Sequence, residues 1–147
     1  MAGKNGISIN WNGLKDKLER GSANLADTQR LMTTIGVAMK AQTVRRFHEG
    51  VDPDGKAWEP SKRAAAAKGG KALVDTGRLR NSISYSAAPL EVHVGSNVEY
   101  ARIHQLGGKA GRNKKVNIPA RPYLGLSTED QEEIADKVKG HLEGSFK

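Results

Sequence analysis

Apolar residues recur at helical intervals in one long stretch: Leu25, Thr28, Leu31/Met32, Ile35, Ala38/Met39, Gln42 and Arg46/Phe47 fall on one side of "NLADTQRLMTTIGVAMKAQTVRRFH", which contains no proline. The spacing predicts a helix from about residue 24 to 48, roughly 37 Å long at 1.5 Å per residue. It ends where "EGVDPDG" brings glycine and proline. Two shorter stretches alternate with period two instead. "GISINW" sets Ile7, Ile9 and Trp11 against Ser8 and Asn10, as a short strand or extended arm would. "NSISYSAAPLEVHVGS" reads as a β-hairpin, with Ile83 and Tyr85 on one strand, Leu90, Val92 and Val94 on the other, and Pro89 at the turn.

Beyond the hairpin, "VEYARIHQLGG" allows a short helix closed by Gly107 and Gly108, with Tyr100 and Leu106 as packing residues. "KAGRNKKVNIPARP" follows as a basic loop ending in a strand-like "VNI". A last helix starts at Ser127 or Thr128: either can cap it, Asp130 or Gln131 stands three residues on, and four acids fill the first turn. Ile134, Val138 and Leu142 form its apolar stripe. Residues 52–78 carry no sustained period and read as a long loop, in which "AAAA" could nucleate a helical turn before Gly69 and Gly70 stop it. The fold class that results is α+β: a long N-terminal helix, a small antiparallel sheet built on a hairpin, a short helix, a C-terminal helix and long basic loops. The 147 residues suit one domain, 1–147, with an extended N-terminal arm.

Composition narrows the function classes. With no cysteine there is no disulfide, thiolate metal site or cysteine nucleophile. No run reaches the roughly 18 apolar residues a membrane helix needs, and no signal-peptide stretch opens the chain, so a cytosolic protein without membrane contact is expected. The net charge of +8 is unevenly placed, because residues 128–147 hold six acids against three lysines. A basic body with an acidic end suits a polyanion, or copies and neighbours docked with opposite signs in contact.

Candidate chemistry is sparse. His104 titrates near neutrality, but nothing in the sequence supplies a nucleophile and an orienting carboxylate, so a structural ring, hydrogen-bonded beside a glycine turn, is expected. "DPDG" opens like a calcium loop, yet Lys56 and Arg63 stand where oxygen ligands are needed, which leaves a turn with Gly55 at positive φ. The histidines at 48, 93, 104 and 141 lack zinc-ligand spacing, and no cofactor is expected. Lys62, Arg63, Lys68 and Lys71 in the first basic loop, and Lys109, Arg112, Lys114 and Lys115 in the second, could meet phosphates without reading bases. Only Trp58 is interleaved with them, so stacking on single strands has little support. "NIPARPYLGLS" holds Ala120 and Arg121 extended between two prolines and reads as a rigid clip, docked on its own core or on a neighbour.

Four ordered stretches, "FHEGVDPDGKAWEP", "LVDTGRLRNSI", "VGSNVEYARIHQLGG" and "IPARPYLGLSTED", resemble the phage virion morphogenesis family, the tail completion proteins of Mu-like and related tailed bacteriophages. The resemblance runs from about Ala38 to Asp136. It implies a structural virion protein of the neck without an active site, assembled in the host cytoplasm and needed for tail completion and head–tail joining. By family analogy it would form a ring, sixfold and coaxial with the DNA channel, touching other copies, neighbouring neck and tail proteins and, non-specifically, the genomic DNA. The assembly candidates are then Trp58, Thr76, Arg78, Tyr100, His104, Gln105, Pro119, Arg121 and Tyr123, and the basic residues of the two loops would face DNA. The rival readings are a basic DNA-binding module without enzymatic activity, a small hydrolase using His104, and a tail terminator, head stopper or capsid assembly factor within the same virion class.

Overall fold

The computed structural model describes the backbone of residues 5–10, 25–66 and 70–145, and side chains within 28–66 and 70–141. Trp11, Lys68 and the side chains of Ile7, Ile9 and Leu142 lie outside the described residues. In chain order the elements are β1 (Asn5–Asn10), α1 (Leu25–Glu49), α2 (Lys62–Ala66), α3 (Arg78–Ser82), β2 (Ser84–Ala88), β3 (Glu91–Ser96), α4 (Ala101–Leu106), β4 (Gly108–Ala110), a 3₁₀ turn (Arg112–Lys114), β5 (Val116–Ile118) and α5 (Thr128–Ser145). The α+β class and its four anticipated pieces are all present.

The main sheet is antiparallel in the order β1-β3-β2, so the arm does not float but pairs along β3 with Ile7 opposite Val94 and Ile9 opposite Val92. In the hairpin Tyr85 stands opposite Val94 and Ala87 opposite Val92. The hairpin register gathers Tyr85, Ala87, Val92 and Val94 on one face, and α1 lies across it. Leu31, Met32, Ile35 and Met39 of the helix are buried with Val92 and Val94 in a single core. Gly36 is what allows the close approach: a Cβ there would stand 2.4 Å from Cδ2 of Tyr85. Helix α5 packs on the C-terminal half of α1 through Ile134 and Val138.

Residues 52–78 are less loop-like than their lack of period implies. Asp52 closes its turn by accepting from the backbone N–H groups of Asp54 and Lys56, each at 2.9 Å, and Gly55 takes φ +84° as expected. The alanine run does form the helical turn α2, whose Ala64 is buried. Trp58 anchors the segment: its ring is buried, meets Phe47 edge-on at 5.6 Å, and its Nε1 donates to Pro122 O at 2.8 Å. A tryptophan amid basic residues therefore serves the core, because its indole finds both an apolar bed and a carbonyl. The second basic loop also hides structure, since β4 and β5 pair antiparallel around the 3₁₀ turn.

Candidate assembly site

The segment 119–127 is held by its own chain, and the holding groups come from four elements. Tyr123 is fully buried, lies 5.2 Å from Phe47 and donates its phenol to Ala101 O of α4 at 2.8 Å. Burial pushes its ionisation up to about 12, so the phenol remains a donor across the neutral range. Arg121 is 6% exposed; its backbone N–H donates to His104 O at 2.7 Å and its Nε to Glu59 O at 2.6 Å. From α1, the buried Arg46 donates to Tyr123 O at 3.0 Å and Gly125 O at 3.1 Å and pairs with Asp130.

Asp130 in turn closes the start of α5. Its carboxylate accepts from Ser127 N at 3.0 Å while Ser127 Oγ accepts from Asp130 N at 3.0 Å. This reciprocal capping is the one anticipated from Ser127 and Asp130, and it satisfies two amide donors at the start of the helix. The added function of Asp130, as counter-ion to a buried arginine 84 residues earlier, has no local signature.

Gln105 is the centre of the clip. Its Oε1 accepts from the backbone N–H groups of both Tyr123 and Leu124 at 3.0 Å, and its Nε2 donates to Leu124 O at 3.0 Å. One amide side chain thus acts as an extra strand edge for an extended segment that the prolines keep out of regular pairing. Gly107 completes the fit: at φ +73° a Cβ would stand 2.8 Å from Ala120 N, so only glycine lets α4 end against the clip.

The sequence expectations for α4 need two corrections. Leu106 and Tyr100 are 63% and 37% exposed rather than packed, because the clip occupies the other side of the short helix. The His104 ring is not held by a hydrogen bond at Nδ1: that atom is buried without a hydrogen-bond partner among the described residues, and the ring instead meets Tyr100 edge-on at 5.8 Å. Burial, reinforced by the Arg121 charge, lowers the His104 pKa below 6.5. The ring is therefore kept neutral.

The remaining candidates meet at a cleft of about 560 Å³ on the outer side of the clip. Thr76 from the loop before α3, Arg78 from its first turn, Tyr100 at the N-cap of α4, His104 from α4 and Arg121 from the clip all line it, together with Arg63. Arg78 lies over the Tyr100 ring with 5.7 Å to its centroid, and Arg63 reaches Asp75 at 3.9 Å. Three of the four sequence stretches thus converge on one surface feature. Trp58, Gln105 and Tyr123 are placed differently: Trp58 and Tyr123 are buried and Gln105 half-buried, and they act by shaping the surface. Pro119 is half-buried beside a shallower hollow lined by Gly107 and Ile118. Lys62, Arg63, Lys71, Lys109, Arg112, Lys114 and Lys115 are all exposed, the last four on the β4–β5 hairpin. Among the described residues no group of His, Asp and Glu is placed to hold a metal ion, and no helix is long and apolar enough to cross a membrane.

Comparison with known proteins covers nearly the whole of this architecture. The model of the phage virion morphogenesis family matches residues 9–143, from β1 through α5. The chain is 38% identical to Mu-like prophage FluMu G protein 2 of Haemophilus influenzae over 126 residues, 86% of each chain. It is 30% identical to the putative capsid assembly protein G of Escherichia phage Mu, covering 77% of this chain and 78% of that one. It is 28% identical to tail completion protein S of Escherichia phage P2, covering 78% and 84%. No solved structure matches. A match spanning both helices, the sheet, the clip and the cleft makes this chain a member of the phage virion morphogenesis family.

Proposed function

We propose that the protein is a structural component of the virion neck, which completes the tail and joins it to the head as a ring of copies around the DNA channel. The observation that carries the reading is the family match along 9–143, with a tail completion protein among the relatives at similar length. The chemistry of the chain agrees with it. His104, the side chain best suited to proton transfer, is flanked by an arginine and a tyrosine ring rather than a carboxylate, and is kept neutral. Polar residues of the four stretches hold backbone in place, as Gln105 and Asp130 do, and Arg46 just before the first stretch does the same. An exposed basic hairpin and an acidic outer face on α5 supply opposite signs for contact between copies or with DNA. On this reading there is no turnover, the protein assembles in the host cytoplasm, and its final place is the virion.

A second reading, action during capsid assembly, is favoured by the name of the phage Mu relative. Negative-stain microscopy of a lysate in which this gene alone is inactivated separates the two. Filled heads beside detached tails of normal length are expected for a joining protein. Missing or empty heads would move the protein to capsid assembly, and intact infectious particles would refute both.

A further inference from the structure

The cleft beside the clip has an electrostatic imbalance. Arg63, Arg78 and Arg121 line it, and Asp75 is the single acid that does so among the described residues. Asp75 lies 3.9 Å from Arg63 and is 74% exposed at its side chain, a loose pairing. Arg78 has the face of Tyr100 for company. Arg121 is the telling member. It is 6% exposed, donates Nε to a backbone carbonyl, and has no carboxylate within 4.0 Å among the described residues. A buried guanidinium without a counter-ion is costly unless an anion completes its shell.

The shape of the cleft selects the anion. Leu73, Leu79 and Tyr100 supply apolar walls, and the volume of about 560 Å³ fits a few side chains. A duplex backbone meets protruding lysines and arginines along its length; a recessed arginine between apolar walls is out of its reach and within that of a carboxylate side chain. Such carboxylates stand on the outer face of α5, where Glu129, Glu132 and Asp136 are exposed around Ala135, with the inner face given to α1 through Ile134 and Val138. Positions 129, 132 and 136 follow the i, i+3, i+7 spacing of one stripe.

We infer that this arginine-lined cleft is a carboxylate-binding site whose occupant is the acidic outer stripe of α5 from a second copy of the chain. The inference deepens the proposed multi-copy role and rests on it. Cleft and stripe are different surfaces, so their contact is head-to-tail, and a head-to-tail contact with the right rotation closes into a ring.

The test is a charge swap on the purified full chain, read by sedimentation velocity over a range of concentrations at low and high salt. Arg78→Glu and the pair Glu132→Lys with Asp136→Lys change exposed residues, and circular dichroism and thermal melting should show both variants folded like the parent. The wild type is expected to self-associate, less so at high salt. Each variant alone should associate roughly a hundredfold more weakly, because like charges then face each other. An equimolar mixture of the two should regain association, since each cleft then finds a stripe of opposite sign.

Association that is indifferent to Arg78→Glu, or a wild type that stays monomeric throughout, would overturn the inference. So would loss of binding to a short DNA duplex in Arg78→Glu with self-association intact, which would make the cleft a phosphate site. Failure here is distinguishable from failure of the neck reading. An inactivated gene that leaves filled heads and detached tails keeps the function even if this interface falls, and intact particles remove the function even if the interface stands.

Discussion

Replacing Gln105 tests whether the clip is held by one side chain or by general packing. Gln105→Ala removes three hydrogen bonds at 3.0 Å and leaves two backbone N–H groups and one carbonyl of Tyr123 and Leu124 without their partner. The site is half-buried, so water can replace part of what is lost. At about 1 kcal/mol for each bond, near the middle of the range for such losses, the expected destabilisation is about 3 kcal/mol. For a chain of this size each kcal/mol moves the melting temperature by about 3 °C, giving a drop of about 10 °C in calorimetry. Gln105→Glu sharpens the reasoning. It retains the acceptor for both N–H groups but, when ionised, loses the donor to Leu124 O and places negative charge against that carbonyl. Its stability at neutral pH should fall between those of wild type and Gln105→Ala, and should approach wild type in acid, where the protonated carboxyl again offers a donor. A loss below about 1 kcal/mol in Gln105→Ala, or no difference between Gln105→Glu and wild type at neutral pH, would refute the idea of an amide clamp.

Three further outcomes follow from the same geometry. Asp130→Ala strands Arg46, whose side chain is 7% exposed, and should cost about 3–5 kcal/mol in urea unfolding, with Asp130→Asn milder because the cap to Ser127 N survives. Tyr123→Phe should cost about 1 kcal/mol by removing the phenol's hydrogen bond to Ala101 O. The native tyrosine ionises at about 12 against 10.0 unfolded, so its stabilisation is present below pH 10 and declines from there to about 12; the variant should lack that alkaline decline. His104 has the opposite sense. Its native pKa is lowered by burial and then by Arg121, so the unfolded chain takes the proton first and stability falls as pH drops through 6.5. The acid-side decline in urea midpoint should be shallower in His104→Gln, and equal slopes would show that the ring is not shielded.

Much of the architecture was legible because it rests on local rules. The 3.6-residue period of α1, the alternation in β2 and β3 around Pro89, the Ser127–Asp130 cap and the Asp52 turn each depend on residues within a few positions of one another. The same locality made residues 52–78 look like open loop, since Trp58 is fixed by Phe47 and by Pro122, which stands 64 positions away. It also made Leu106 look packed, because a helical face is visible in sequence whereas the side on which the clip lies is not.

Sequence by itself determined the order of the long helix, the hairpin, the short helix and the last helix, the family and the stretches that matter, since periodicity, caps and motif order are properties of a string. Tertiary structure alone decided what those stretches do. It joined Arg46 to Asp130, set Gln105 against the backbone of Tyr123 and Leu124, and left His104 Nδ1 without a hydrogen-bond partner among the described residues. It also brought Arg63, Arg78 and Arg121 around one cleft. Each of these is a meeting of residues distant in the chain, and the balance of buried charge that follows exists only once the chain has closed around them.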